Sequence, residues 1–399
     1  MGTVITEPTR IADGGRTPQW PQRGRSGVYL TDERGHQSIA FHCAGGVFNL
    51  GFQAKEFAAE ITKCMQDHDM GMWFMPSERR HAGEVQFARI LPQPLTRTFY
   101  TASASEAFEV ACKMAKRITG RKELVSVTRG YYGHIGFAMA MDDPVLGPDQ
   151  FQPLAGGQKK AQYGSIESLQ AMVDDNTAAI CLESIQVPAG VYLPPEDYFW
   201  QVRKLCDVRG IMLIVDEVQG GLLRTGKMWA IDHYGVAPDF LISGKGLSGG
   251  YYPVGAVSFH EDHYKHLLSQ PTLHRSSFSG GEVAARVSGL IANRYLDPEF
   301  SQHVNARGDQ LAAGLTSLQA VYPAILRPEI RGRGLVRAMD MVAPSRRARL
   351  FEACYAAGLY IKGTSMNQST MIFMPPLVIT AEEMDEALAR FETALSKMG

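Results

Sequence analysis

The chain has 399 residues, with 40 Lys and Arg against 41 Asp and Glu, a formal net charge of −1. Hydrophobic residues make up 45% and charged residues 20%, which excludes a disordered chain. Near-neutrality removes the electrostatic footprint of a general nucleic-acid or membrane-surface binder.

Residues 1 to about 26 are rich in Gly, Pro, Arg and Thr and read as an irregular arm. Strand-like pieces follow at Gly27–Leu30 and Ser38–Phe41, with a turn at Asp32–Gly35 between them. Phe57, Ile61 and Met65 recur at helical spacing, so a helix is predicted over Glu56–Gln66. Beyond it, predicted helices (Glu106–Ile118, Tyr198–Val208) alternate with apolar runs (Glu123–Val127, Ala178–Leu182, Ile211–Val215, Asp239–Ser243, Val254–Phe259). Continuous apolar strands alternating with helices indicate a mostly parallel sheet covered on both faces. The last hundred or so residues change character. Predicted helices (Val283–Tyr295, Val304–Leu318, Ser345–Ala357, Ala381–Lys397) surround short strands (Gly334–Met341, Met371–Phe373). The expected division is therefore an arm and part of a small lobe over 1–50, a large α/β domain over 51–285, and a small α+β domain over 286–399.

The six cysteines (Cys43, Cys64, Cys112, Cys181, Cys206, Cys354) are scattered without a CxxC pair, which suits reduced thiols better than disulfides or zinc. No apolar run reaches membrane-spanning length, and the polar start MGTVITEPTRIADGGR lacks the apolar stretch of a signal peptide. A cytoplasmic enzyme without a membrane or nucleic-acid partner is expected.

In open parallel sheets, ligands bind outside the carboxyl ends of the strands. Three such ends carry chemistry here: Val215 runs into Asp216-Glu217-Val218-Gln219, Ser243 into Gly244-Lys245-Gly246, and Leu182 into Glu183. Singly, each acid reads as a loop anchor and the lysine as a solvated loop residue. Together they suit carbonyl chemistry, because a desolvated lysine forms a Schiff base with an aldehyde. If the aldehyde is pyridoxal phosphate, a carboxylate must face the ring nitrogen, and Asp216 and Lys245 fit the two roles. A phosphate would need a cradle, and Ser103-Ala104-Ser105 sits at a predicted helix start, where free N–H groups favour an anion. An ordinary N-cap by Ser103 or Ser105 fits the same segment. Tyr131 and Tyr132, between glycines, offer an aromatic face to a ring.

The stretch IVDEVQGGLLRTGKMWAIDHYGVAPDFLISGKGLSGGYYPVGAV, residues 214–257, resembles the signature of class III (subgroup II) aminotransferases, of pyridoxal-phosphate fold type I. Ser103–Ala107, Tyr131–Gly133, Ser277–Gly280, Arg331–Leu335 and Pro375–Leu377 are similar to further family segments in the same order. The resemblance implies Lys245 as the Schiff-base lysine and proton shuttle, and Asp216 as partner of the ring nitrogen. It implies Ala104 and Ser105, beside Ser103, on the phosphate. Tyr131 and Val218 would take opposite ring faces, Gln219 the side of the ring hydroxyl, and Ser277 the phosphate of a partner subunit in a homodimer. Trp73, Tyr132 and Glu183 would line the substrate side, with small-molecule amine and carbonyl substrates and no metal.

Departures from the family bear on substrate. Ile372 stands where glutamate-using members often carry an arginine, so a carboxylate would lack its two-pronged clamp. Glu183 would then be an uncompensated acid favouring a cationic amine. Two readings follow: an amine donor held elsewhere, or an amino-rich, non-α-carboxylate substrate. The cofactor also suits an epimerase, racemase or aminomutase without net transfer, or a non-catalytic binder, although retention of Lys245 and Asp216 argues against the last. Gly244–Gly249 spells GxGxxG but is not followed by a helix pattern, so a dinucleotide site is not expected. His260, His263 and His266 read as a solvated helix face rather than metal ligands.

Overall fold

The computed structural model describes residues 22–71, 75–146, 151–269, 272–364 and 366–399. Three sheets organise the chain. The first joins β1 (Gln22–Ser26), β2 (Tyr29–Asp32) and β3 (Gln37–Ala40) as an antiparallel meander. The second contains β4 (Arg97–Thr101), β5 (Glu123–Val127), β6 (Gln158–Ala161), β7 (Thr177–Glu183), β8 (Met212–Asp216), β9 (Phe240–Ser243) and β10 (Gly255–Phe259). The third is built from β11 (Leu326–Arg333), β12 (Val336–Met341), β14 (Lys362–Gly363) and β15 (Thr370–Phe373), while β13 (Leu359–Tyr360) pairs in parallel with β3 of the first.

The seven-stranded sheet runs in the order β4-β10-β9-β8-β7-β5-β6. Strands β9, β8, β7, β5 and β6 pair in parallel, and β10 is antiparallel to both its neighbours. Every residue of β7, β9 and β10 is buried, as a sheet covered on both faces requires. Helix Ala104–Thr119 buries Ala107, Phe108, Val110, Ala111, Met114 and Ala115 against one face. Its ends obey local rules: Ser103 Oγ accepts the Glu106 N–H, and Gly120 closes the helix in the left-handed conformation. All six cysteines are buried and free of disulfides.

The predicted helices are present with ends moved by a few residues. The largest change is Pro298–Val321, which starts earlier because Asp297 caps it and Pro298 occupies its first turn. Several strands were not expected, among them Gln22–Ser26, which pairs with Tyr29–Asp32 inside the stretch read as an irregular arm. Gln158–Ala161 (QKKA) and Arg97–Thr101 (RTFYT) lie at the two edges of the large sheet, where one side lacks a neighbour. Leu326–Arg333 carries exposed charges, so the single strand expected at Gly334–Met341 is the second arm of a hairpin. Helix Glu261–Leu268, which carries His263 and His266, has no buried residue.

One buried cation ties the segment after β8 to the third sheet and to the loop after β3. The Arg224 guanidinium, fully buried, donates to the carbonyls of Leu335 at 2.8 Å and Pro375 at 2.6 Å, and to Asn49 Oδ1 at 2.6 Å. Burial lowers its pKa, against the pull of Cys43. Replacing Arg224 with Met leaves two carbonyls buried without that donor and Asn49 Oδ1 with only the Cys43 thiol, at a cost of about 3 kcal/mol or more. The urea midpoint of Arg224→Met is expected to fall accordingly, and an unchanged midpoint would deny the guanidinium this tying role.

Candidate functional site

Parallel pairing brings the predicted chemistry to one rim. Glu183 ends β7 and stands directly opposite Asp216, the last residue of β8. Asp216 in turn faces Ile242 of β9, and Gly244-Lys245 follow that strand at once. Lys245 opens a 3-10 turn with φ +48°, a left-handed backbone that a non-glycine residue adopts only under tertiary constraint. Burial lowers the Lys245 pKa, while Asp216 and Glu183 pull it back up. Burial raises Asp216 to about 6, against the Val218 N–H, which donates to its Oδ1 at 2.9 Å, and Lys245. Glu183 is driven well above the carboxylate range by burial, then by Asp216 beside it. Two acids on adjacent strands cannot both ionise cheaply in a dry crevice.

The cradle is shaped by missing side chains. The first amides of helix Ala104–Thr119 have no carbonyl of their own helix to bond. A Cβ on Gly133 (φ +121°) would collide with Ser105 Oγ, and one on Gly244 would lie 2.8 Å from Ala104 Cβ. Bare backbone at 133 and 244 thus lets the Tyr131 loop and the Lys245 turn close on the helix start. Tyr131, Tyr132 and Gly133, Ala104 and Ser105, Glu183, Asp216, Val218, Gln219 and Lys245 line one cleft. Ser103, Ala104 and Lys245 also line an adjoining cleft of about 370 Å³ with Val47 and Tyr251.

Several predicted residues have more specific settings than the sequence suggested. Glu183 does not lack a partner: its Oε1 accepts the Tyr131 N–H at 3.0 Å. The Tyr132 hydroxyl donates to the Cys181 carbonyl at 2.9 Å, and its ring stacks on Phe108 at 4.8 Å, so its polar end is committed within the fold. Gln219 keeps its place beside Lys245, since a Cβ on Gly45 would lie 3.0 Å from Gln219 Oε1 and 3.5 Å from Lys245 Cε. Ile372 is buried in an apolar cluster with Cys43, Ile185, Val187 and Met374. Ser277 is exposed, on a loop held where His274 Nε2 and Ser279 Oγ meet Glu106 Oε1. Those contacts, His274 foremost, hold Glu106 down at about 2. Trp73 lies outside the described residues. Among the described residues no cluster of three or more metal-ligating side chains occurs.

Two contributors had no signal of their own in the sequence. Asp142 reaches back from the helix Gly136–Met141 to accept the Tyr132 N–H at 2.5 Å, holding the tyrosine loop, and its Oδ2 lies 3.6 Å from His134 Nδ1. Burial raises it to about 7. Glu217, next to Asp216, points away from the cleft and accepts the N–H groups of Ala230 and Ile231 at 2.9 and 2.8 Å. Of the DEVQ run, the second acid is therefore a turn anchor.

These residues fit pyridoxal phosphate. The glycine-bared helix start suits a phosphate, Tyr131 and Val218 border the space between, and Lys245 and Asp216 would offer the amine and the acid that the cofactor needs. A family model for class III aminotransferases matches residues 13–395. An uncharacterised aminotransferase of Archaeoglobus fulgidus is 36% identical over 361 residues, covering 90% of this chain and 84% of that one. A putrescine aminotransferase of Pectobacterium atrosepticum is 31% identical over 381 residues, covering 92% and 81%. Among solved structures, the ornithine aminotransferase of Toxoplasma gondii superposes with a TM-score of 0.89 at 25% identity, covering 97% of this chain and 93% of that one. Another structure of that enzyme describes partial occupancy of pyridoxal phosphate at its active site (TM-score 0.88, 25% identity, 96% and 92% covered).

Asp142 sets up a test in the protein stripped of cofactor. Its folded pKa, about 7, lies above the ordinary 3.8, so the stability it lends is complete below about pH 4 and lost as pH rises through 7. Asp142→Asn keeps an acceptor for Tyr132 and removes the titration. Urea midpoints of the two proteins are expected to agree near pH 4 and to separate by pH 8, the variant being more stable by on the order of 2 kcal/mol. Parallel pH profiles would contradict the assignment.

Proposed function

The chain belongs to the class III aminotransferases, pyridoxal-phosphate enzymes that move an amino group between an amine and a carbonyl compound, and from that premise we propose that its amine donor is a diamine or similarly amino-rich, non-α-carboxylate molecule. The observation that carries this reading is the acid-lined rim itself. Glu183 and Asp216, side by side on paired strands, line the cleft with Tyr131, and burial raises the pKa of both acids. A carboxyl held neutral by burial ionises when a second ammonium group approaches, so such a rim gains from a dication and not from a carboxylate. The apolar surroundings of Ile372 offer no cation to a carboxylate at that position. The 31%-identical relative named for putrescine, a diamine, supports the same choice.

When bound, the cofactor supplies an aldehyde that combines with amines and a ring that draws electrons from the carbon bearing them. The chain's residues do the rest. Lys245 Nζ, its pKa lowered by burial, gives up its proton more readily than an exposed lysine and takes or returns a proton at the substrate carbon. Asp216, with Oδ1 engaged by the Val218 N–H, keeps Oδ2 for a protonated ring nitrogen. The amides at the start of helix Ala104–Thr119, with Ser103 and Ser105, hold the phosphate. Tyr131 and Val218 confine the ring, Gln219 stands beside Lys245, and Glu183 and Tyr132 form the substrate-side wall. An isomerase without net transfer is less favoured, because both curated relatives are named aminotransferases.

We further take the enzyme to be a cytoplasmic homodimer in which Ser277 reaches the partner's phosphate, with a division at about residues 50 and 285. Exposed apolar side chains near Ser277 support the dimer: Met70 at 39%, Met75 at 65% and Phe278 at 52%. Met70 borders that loop, since a Cβ on Gly281 would lie 2.6 Å from its carbonyl oxygen. No helix among the described residues is long and apolar enough to cross a membrane.

Lys245→Ala is expected to lower turnover by about 10²–10⁴-fold and to abolish the borohydride-trapped cofactor adduct. In a donor panel with the unmodified enzyme, α,ω-diamines are expected to exceed monoamines and α-amino acids in kcat/KM. Normal turnover in the variant would defeat the role of Lys245, and a preference for α-amino acids would defeat the donor assignment.

A further inference from the structure

The turn that carries Ser277 is braced by side chains that take no part in the chemistry above. The Ser279 N–H donates to the Ser276 carbonyl at 3.2 Å, so Ser277 and Phe278 form the tip of a tight turn. Both tip residues are exposed, Phe278 at 52%. Neither lines the two clefts around Lys245. The Ser277 hydroxyl therefore lies outside its own subunit's cofactor site.

The base of the same turn is fixed. The Gly280 N–H donates to the carbonyl of Tyr100, in β4, at 2.9 Å. Ser279 is fully buried, and its Oγ donates to Glu106 Oε1 at 3.1 Å. Glu106 belongs to the first turn of helix Ala104–Thr119, where the phosphate cradle lies. Its other oxygen accepts the Ala102 N–H at 2.8 Å.

His274 completes the brace, and its neighbours dictate which ring nitrogen carries the proton. Its Nδ1 lies 3.3 Å from Lys113 Nζ, and its Nε2 lies 2.8 Å from Glu106 Oε1. An ammonium can only donate, so Nδ1 accepts, and Nε2 carries the proton that it donates to Glu106. Glu106 and Lys113 stand seven residues apart on one helix, hence on one face and about 10 Å apart along its axis. The imidazole joins them as an uncharged link, with a charged partner strengthening each of its two hydrogen bonds. Phe99 packs edge-on against the ring, with centroids 6.2 Å apart. Only 11% of the His274 side chain is exposed, so little water competes for these bonds.

We propose that His274 is a positioning residue for the other subunit's site: strung between Glu106 and Lys113, it sets the Ser276–Ser279 turn so that the Ser277 hydroxyl meets the partner's phosphate. The inference rests on the homodimer reading and deepens it. One helix then serves both sites. Its first amides hold one phosphate, while its Glu106 and Lys113 hold the serine for the other.

Hybrid dimers test this, with half-saturation of the borohydride-trapped adduct by added pyridoxal phosphate as the readout. A Lys245→Ala subunit forms no adduct, so each hybrid reports a single site. In the first hybrid a His274→Leu subunit is paired with a Lys245→Ala subunit, and an intact turn faces the reporting site. In the second, a subunit with both substitutions is paired with an unmodified one, and the altered turn faces the reporting site. Relative to a hybrid of Lys245→Ala and unmodified subunits, half-saturation is expected to be unchanged in the first and about 10-fold higher in the second. His274→Gln, which keeps one donor and one acceptor, is expected to restore the second hybrid to within twofold. Ser279→Ala, which cuts one bond to Glu106 and leaves the imidazole alone, carries the same prediction as His274→Leu should those subunits fail to assemble. The reverse pattern, a rise in both hybrids, a rise in neither, or no rescue by glutamine would overturn the proposal. Ser277→Ala in the second hybrid separates it from the reading beneath it. A rise with Ser277→Ala and none with His274→Leu would defeat the brace and keep the dimer contact. No rise with either, or a chain that sediments as a monomer with cofactor bound, would defeat both.

Discussion

A lysine and two carboxyls crowded at the ends of adjacent strands are what this molecule is organised around. Desolvation works against the charge on each of them, the lysine eases that cost for both acids, and Asp216 adds to it for Glu183. The pairing of Glu183 with Asp216 across β7 and β8, and the step from β9 into Lys245, make this crowding a direct result of parallel register. A shift by one residue would turn either acid to the opposite face of the sheet. The lowered amine and the raised acids are therefore properties of the sheet as much as of the side chains.

Holding that crevice open to a cofactor requires support from a distance. Arg224 lashes the turn after β8 to Leu335, Pro375 and Asn49, parts of the chain that also frame the loop beneath Lys245. Asp142 fixes the tyrosine loop, and Glu106 collects Ala102, His274 and Ser279 around the helix start. Each support is a charged group satisfied mostly by backbone or by a short network, and none would touch substrate. Glycines 45, 133 and 244 do the complementary work of leaving room. The site is thus as much a matter of absent side chains as of present ones.

Much of this was legible in the residue order. Uninterrupted apolar runs announce buried parallel strands, helix caps announce themselves through Ser, Asp and Gly, and the acids and lysine fall immediately after strands, where such sheets bind ligands. The segment from 214 to 257 was specific enough to carry the family. Edge strands such as Gln158–Ala161 were silent, because a strand with one neighbour needs no apolar run. The partner of Glu183, the committed hydroxyl of Tyr132, the reach of Asp142 to the tyrosine loop and the diversion of Glu217 to Ala230 and Ile231 were also silent. Periodicity and local chemistry report what a residue can do within a few neighbours along the chain. Which distant group it meets, and whether water remains beside it, is settled only when the strands pair and the helices pack on them.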